Sequence, residues 1–109
     1  MSIRDFNWSS EEKKIARAAF DKAYQNEMNA IKNELVKRIG DLDDLQNIWS
    51  IHNYLSEKRK EIDSKYDYRY SMLVIIFGRL INEGYLDGKD LTGLSEDKLE
   101  AIKFISQQK

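Results

Sequence analysis

Apolar residues recur every three or four positions along most of this chain, the spacing that predicts amphipathic helices. Ser9 followed by Glu12 has the form of a capping box, and Gly40 is a residue that commonly ends a helix. Between them the apolar positions are Ala16, Phe20, Tyr24, Met28, Ile31, Leu35 and Ile39. The pattern predicts a first helix of about 30 residues, Ser10 to Ile39.

A helix of this size is too long for its own chain to bury. It would measure about 45 Å at ~1.5 Å per residue. A compact domain of 109 residues has a radius of gyration of only about 13 Å. The sequence therefore predicts an elongated molecule, or one in which a second copy covers the rest of the helix.

A second stripe alternates spacings of three and four residues, as in the seam of a coiled coil or helical bundle. Asp41 or Asp43 is the expected cap of this helix. Weak helix formers between Asp63 and Asp67 favour a kink or break there. The members of the stripe are Leu45, Ile48, His52, Leu55, Arg59, Ile62, Tyr66, Arg69, Leu73, Ile76 and Leu80.

The remainder of the chain predicts a small helical head. The run "MLVIIF", residues 72–77, could form a buried strand, but no other run could pair with it, so we expect a helix that ends at Gly84. A turn-rich connector with at most one short helical turn follows, and a last helix starts at Ser95. Leu94 and Leu99 flank that start as a hydrophobic staple.

The predicted fold class is therefore all-α. Residues 1–109 form one domain, with an elongated antiparallel stalk of two long helices mainly in residues 1–62 and the head mainly in residues 63–109. We expect a homodimer that resembles a four-helix bundle. Its contact residues are predicted to be Leu45, Ile48, Trp49 and Leu55.

One histidine and two arginines, His52, Arg59 and Arg69, occupy the second stripe where apolar residues are expected. His52 and Arg59 are one heptad apart, so they share a helix face that Trp49 borders. One interpretation places them at the rim of a bundle with their polar ends in water. We favour a surface where chains or partners meet, because single polar seam positions fix register and Trp and Arg are enriched at interface hot spots.

Intrahelical ion pairs account for most other charges near this patch. Glu61 precedes Lys65 by four residues, and Arg59 precedes Asp63 by four. Arg59 is also expected to approach Asn53 across or beside the dimer seam, since a buried guanidinium needs acceptors.

Composition narrows the possible functions. The chain has 18 basic and 19 acidic residues, which argues against general affinity for nucleic acid or anionic membranes. It has no cysteine, and no carboxylate lies one helical turn from its single histidine, His52, so we expect no metal site. No cofactor fingerprint, signal peptide or ~20-residue apolar span is present. These features predict a cytoplasmic, non-enzymatic protein that is not integral to a membrane.

The stretch "YLSEKRKEIDSKYDYRYS", residues 54–71, carries a specific resemblance. Together with Trp49 and His52 just before it, this stretch resembles the fluorescence recovery protein family of cyanobacteria. That family has a Trp, a His-acid pair, a Lys-Arg pair and an "EIDGKYD"-like run. The resemblance continues through "EGYLDGKDLTGLSEDKLEAI", residues 83–102, and includes "FDKAY", residues 20–24, and "WS", residues 8–9.

The resemblance implies a dimeric, all-helical regulator of photoprotection without a cofactor. Such a regulator binds the photoactivated red form of the orange carotenoid protein, mainly through the C-terminal domain of that protein. It speeds the return to the orange form and helps detachment from the phycobilisome, so antenna fluorescence recovers. A cytoplasmic location, peripheral to thylakoid membranes through the phycobilisome, is implied as well. The alternative is a dimeric helical adaptor for another protein partner.

The resemblance also assigns residues. Asn53 departs from the family, which usually has an acid there that is able to pair with the arginine. Ser64 replaces a common glycine. In the head, Ile75 stands where the family can carry phenylalanine, and Ala101 stands where it can carry lysine. Ile75 and Phe77 are the candidates for contact with a partner through the head. The resemblance implicates four positions in the interface and in activity: Trp49, His52, Asn53 and Arg59.

Overall fold

The computed structural model describes residues 6–41 and 43–108, and within these ranges it confirms the predicted all-α fold. Residues 1–5, 42 and 109, which include both ends of the predicted domain, lie outside the described ranges. The elements in chain order are α1 (Ser10–Gly40), α2 (Asn47–Lys65), α3 (Leu73–Asn82), a 3-10 helix (Gly88–Leu91) and α4 (Glu96–Ser106).

The first helix begins and ends where the sequence predicts. The Ser9 hydroxyl accepts a hydrogen bond from the Glu12 N–H at 3.1 Å, and the Glu12 carboxylate accepts one from the Ser9 N–H at 3.0 Å, which completes the capping box. Gly40 is the last helical residue, but its φ is not positive. The Asp41 N–H closes the end by donating to carbonyls of the last turn, so the stop does not use the left-handed freedom of glycine.

The turn into α2 differs from the prediction. Neither Asp41 nor Asp43 caps the helix, which starts at Asn47 without a side-chain cap. Instead, Asp44 closes the turn: its carboxylate accepts from the Gln46 N–H at 3.0 Å, and its carbonyl accepts from the Asn47 N–H at 2.9 Å. The predicted caps were too early because a tight turn occupies the residues before α2.

The predicted break in the second stripe is confirmed. α2 ends at Lys65, α3 begins at Leu73, and the "MLVIIF" run contributes to α3 rather than to a strand. Tyr66 and Arg69 therefore lie in a connector, and the stripe is divided between two helices that pack in different places.

α1 and α2 form an antiparallel stalk. The Arg38 guanidinium lies 4.1 Å from the Tyr54 ring centroid. Eleven residues earlier in α1 and eleven residues later in α2, the Lys65 ammonium lies 2.7 Å from Glu27. The constant register shows that the chain returns along α1. The molecule measures 53 × 23 × 22 Å with a radius of gyration of 16.6 Å, so the predicted elongation is confirmed.

The head contains more of α1 than predicted. Alanines and Phe20 in the first half of α1 pack against α3, α4 and the connector. The first half of α1 therefore belongs to the head, and the stalk consists of the second half of α1 and α2. The buried core residues are Ala16, Ala19, Phe20, Ala23, Leu73, Val74, Ile76, Phe77, Leu80, Leu86, Leu91, Leu94 and Ile102.

Two glycines shape the head. Gly84 has φ +87°, and the N–H groups of Gly84 and Tyr85 donate to Ile81 and Leu80 carbonyls at 3.1 and 2.9 Å, which is a Schellman motif. Gly78 lets α3 approach α4, because a Cβ at this position would lie 2.5 Å from the Ile105 side chain.

A buried carboxylate joins the start of α1 to the start of α4. Glu12 accepts hydrogen bonds from the Ser95 N–H at 2.9 Å and from the Lys98 ammonium at 3.0 Å, and the Lys98 ammonium lies 5.0 Å from the Trp8 ring. Burial acts to raise the pKa of Glu12. The hydrogen bonds from Ser9, Ser95 and Lys98 outweigh burial and lower this pKa from 4.5 to about 2.

We expect Glu12→Gln to destabilise the protein by about 2 kcal/mol at pH 7. Because the folded-state pKa is depressed, the contribution of Glu12 is complete above about pH 4.5 and is lost as the pH falls towards 2. The difference between wild type and variant in urea unfolding should therefore shrink to about half or less at pH 3 and be mostly gone only near pH 2. Glu11→Gln, at an exposed neighbouring position, is the control. An equal loss of stability at pH 7 and pH 3 would contradict this role.

Candidate functional site

Large apolar side chains are exposed on both stalk helices. At the start of α2, Leu45, Ile48 and Trp49 are 72%, 48% and 64% exposed in the single chain. Exposed apolar residues of this size mark interaction surfaces when they occur together. We call this set the stalk surface, and its members are Met28, Val36, Ile39, Leu45, Ile48 and Trp49.

A groove of about 440 Å³ lies between the two stalk helices, nearer to the head. Its apolar lining includes the half-buried Leu55, and its charged residues come from the last turns of α2. The lining residues are Tyr24, Met28, Ile31, Leu55, Lys58, Arg59, Ile62 and Asp63. The groove shares Met28 with the stalk surface, so the two features adjoin.

His52 and Asn53 lie on the exposed side of α2 beside Trp49. The His52 ring stands edge-on to the Trp49 ring, with centroids 6.3 Å apart. Nδ1 of His52 lies 3.4 Å from the Asn53 side-chain oxygen, a contact that requires the proton on Nδ1. Three of the four residues implied by the resemblance are therefore neighbours on one helix surface.

Arg59 is 80% exposed, and its Nε donates to the Asp63 carboxylate at 3.2 Å. This confirms the predicted intrahelical pair. Within one chain Asp63, and not Asn53, is the acceptor for Arg59. The expected approach of Arg59 to Asn53 at a dimer seam therefore remains a prediction.

The two head candidates differ. Phe77 is fully buried in the head core, so the prediction that it offers a contact surface is wrong. Ile75 is half-buried and lines a groove of about 100 Å³ with Ser64 at the end of α2. The difference follows from the helical period, since Leu73, Phe77 and Leu80 face the core and Ile75 lies to one side.

A buried ionic network that the sequence did not predict lies where stalk and head meet, and we call it the joint. The Lys65 ammonium lies 2.7 Å from the Glu27 carboxylate of α1 and 2.6 Å from the Glu83 carboxylate after α3. The Lys65 and Glu27 side chains are 1% and 2% exposed. The predicted Glu61–Lys65 pair is wrong, because Glu61 pairs with Lys58 at 3.3 Å.

The other members of the joint complete its hydrogen bonds. The Tyr66 hydroxyl donates to Glu27 at 2.8 Å, and Arg79 donates to Glu83 at 2.8 Å. Burial, together with the bond to Glu27, raises the pKa of Tyr66. Partial burial acts to raise the pKa of Glu83, but the bonds from Lys65 and Arg79 outweigh burial and lower it.

The sequence carried a signal for one member of the joint, since Ile62 belonged to the predicted second stripe, whereas the burial of Ala23 is known only from the structure. Glu27 lies four residues after the buried Ala23, and Lys65 lies three residues after the buried Ile62. Both are therefore charged residues on the inner faces of their helices. The sequence could therefore have suggested Lys65 as a buried charge, but not its partner.

In the residues that the structure describes, no three His, Asp or Glu side chains are grouped to hold a metal ion. None of the described helices combines the length and apolar character needed to cross a membrane.

Comparison with known proteins identifies the family. A family model described as photoprotection regulator fluorescence recovery protein matches residues 8–106. The chain belongs to the fluorescence recovery protein family. A curated fluorescence recovery protein from Synechocystis sp. is 36% identical over 100 residues, which cover 92% of each chain.

Solved structures of the family share the fold. The fluorescence recovery protein of Fremyella diplosiphon is 45% identical and superposes with a TM-score of 0.88, covering 94% of this chain and all of the other. The Synechocystis sp. PCC 6803 structure is 35% identical, with the same TM-score and coverage. The resemblance read from the sequence is confirmed, and the chain is a member of a family of photoprotection regulators.

Proposed function

We propose that this family member binds the photoactivated orange carotenoid protein, mainly at its C-terminal domain, and accelerates the return from the red to the orange form. Phycobilisome fluorescence is thereby restored. The observation that supports this proposal most is the exposed cluster of Trp49, His52 and Arg59 on one surface of α2. The resemblance to the family implicates these three positions in activity.

The proposed action needs no covalent chemistry. An accelerator of a conformational change must bind the transition state more tightly than the starting state. Only side chains that touch the moving domains can do this. In this chain the candidates are the α2 cluster of Trp49, His52, Asn53 and Arg59, and Ile75 beside the end of the stalk. The site of action would be the cytoplasmic face of the thylakoid, where phycobilisomes reside.

We also propose that the protein is a homodimer in which a second copy covers the stalk surface. Leu45, Ile48 and Trp49 leave an apolar area at the start of α2 that the head of the same chain does not cover. An isologous pairing would bury the same residues on both copies. Leu55, in the adjoining groove, would be covered with them.

Ile48→Glu should convert the dimer to a monomer, because a carboxylate buried without a partner costs several kcal/mol. The measurement is molar mass by light scattering at micromolar concentration. Phe104→Glu is the matched control, since Phe104 is an exposed apolar residue of α4 in the head, and it should leave the mass unchanged. A wild-type mass of one chain would reject the dimer.

The dark recovery rate of the red form tests the regulator role. Wild type should accelerate recovery, Arg59→Ala should weaken the effect, and Asn53→Asp should strengthen it. A charge-assisted hydrogen bond exceeds a neutral one by about 1 kcal/mol, which corresponds to about fivefold in rate. Arg17→Ala is the control, because Arg17 forms a similar exposed pair with Asp21 at 3.3 Å.

The outcomes separate the two candidate functions. If neither wild type nor any variant changes the recovery rate, the regulator role fails, and a dimeric adaptor for another partner takes its place. If wild type accelerates recovery and Asn53→Asp matches it, the regulator role stands, but the effect assigned to the amide at position 53 is wrong.

A further inference from the structure

We propose that Met28 is a modification site: a peroxide that oxidises its thioether to the sulfoxide keeps two copies of this chain apart. The inference rests on the homodimer proposed above, in which a second copy covers the stalk surface. It adds a chemical event on a named atom, the Met28 sulfur, that decides whether the two copies pair.

Met28 lies where the two apolar features of the stalk adjoin. It is 38% exposed in the single chain, as a member of the stalk surface, and it also lines the groove between α1 and α2. Its apolar neighbours in the groove include Ile31 on α1 and Leu55 on α2. A flexible thioether suits such a surface, because methionine adapts its shape to apolar partners.

The other methionine that the structure describes has a different environment. Met72 is half-buried and packs against the head core, so protein atoms shield much of its side chain. Met1 lies outside the described residues. In the single chain, a peroxide should therefore oxidise Met28 faster than Met72.

The reaction transfers one oxygen atom from the peroxide to sulfur. The S–O bond forms as the O–O bond breaks, sulfur loses two electrons, and the other peroxide oxygen leaves as water, or as an alcohol if the peroxide is organic. The product is a polar and chiral side chain in place of a flexible apolar one. Its oxygen atom accepts hydrogen bonds and prefers water to an apolar interface.

The groove offers the sulfoxide oxygen no unoccupied donor among the charged residues that line it. Those donors are Lys58 and Arg59. The Lys58 ammonium donates to Glu61 at 3.3 Å. The Arg59 guanidinium donates to Asp63 at 3.2 Å. In a pair of copies the oxygen must lose its water and then either stay unbonded or break one of these ion pairs.

The symmetry of the pairing increases this cost. An isologous interface brings the same residues from both copies into contact, so two sulfoxides enter it when both chains are oxidised. In the separated chain each sulfoxide remains in water. Oxidation therefore acts on the separated chain and opposes its return to the pair.

Three variants separate the sulfur of Met28 from its shape. Met28→Leu keeps an apolar side chain of similar volume and cannot form a sulfoxide, so it should pair normally and be insensitive to peroxide. Met28→Gln is polar at all times and should pair weakly without peroxide. Met72→Leu is the matched control, because it removes the other described methionine and should respond to peroxide as wild type does.

The measurements use the full chain with hydrogen peroxide as the probe. Trypsin places Met1, Met28 and Met72 in different peptides, so mass spectrometry reports the oxidation of each methionine. Light scattering over a range of protein concentrations gives the dissociation constant before and after treatment. Circular dichroism checks that the helix content is unchanged. Methionine sulfoxide reductase with a dithiol then reverses the modification.

We expect oxidation to raise the dissociation constant of wild type by about tenfold or more, since each copy carries a polar group without a partner into the interface. The reductase should restore pairing. Dilution of untreated protein should speed the oxidation of Met28 relative to Met72, because the separated chain exposes Met28.

Three results overturn the role of Met28. They are an oxidised wild type that pairs as tightly as the untreated protein, a Met28→Leu variant that separates on treatment as wild type does, and an oxidation rate of Met28 that dilution does not change. If untreated wild type has the mass of one chain at every concentration, the homodimer itself is rejected and this inference with it. The untreated sample therefore distinguishes the two failures.

Discussion

One buried ammonium holds three segments of this molecule together. Lys65 lies between Glu27 and Glu83, from three different segments of the chain. Burying these charges is costly unless every one has partners, and Tyr66 and Arg79 supply the remaining ones. The arrangement therefore requires α2 to end at this point and the chain to turn into the head. The joint lies on α1 where the first half of the helix, which packs in the head core, is followed by a second half that extends beyond it.

The extension of the stalk beyond the joint explains why its surface is available for binding. The head of the same chain cannot reach Leu45, Ile48 or Trp49, and these apolar residues stay exposed in the single chain. His52, Asn53 and Arg59 lie on the same helix and add polar groups to this surface. Protein interfaces commonly combine an aromatic anchor with a nearby arginine. This surface would offer both to a second copy or to a partner protein.

Periodicity predicted the helices and the elongation, and weak helix formers predicted the break between Asp63 and Asp67, because these features depend on local sequence and on the ratio of helix length to chain length. It failed where tertiary contacts decide. Lys65 looked like a surface residue paired with Glu61, yet it is buried against helices distant in sequence. Phe77 looked like a contact candidate, yet α3 turns it into the core and leaves Ile75 at the side. His52 and Arg59 of the α2 cluster were found from the sequence because they interrupted an apolar stripe that Trp49 borders, and Asn53 was added by the resemblance alone. The joint lies on inner faces that only the packed structure brings together.

The most direct test of whether the α2 cluster contacts the partner is site-specific photo-cross-linking to the orange carotenoid protein. A benzophenone amino acid replaces Lys60, which is exposed beside Arg59. The control site is Thr92, which is exposed next to Gly93 where the connector meets Ile15 of α1. We expect the probe at position 60 to cross-link to the C-terminal domain in the red form, with little product in the orange form and none from position 92. Equal cross-linking to both forms, or none to the red form from position 60, would contradict the assignment of this surface.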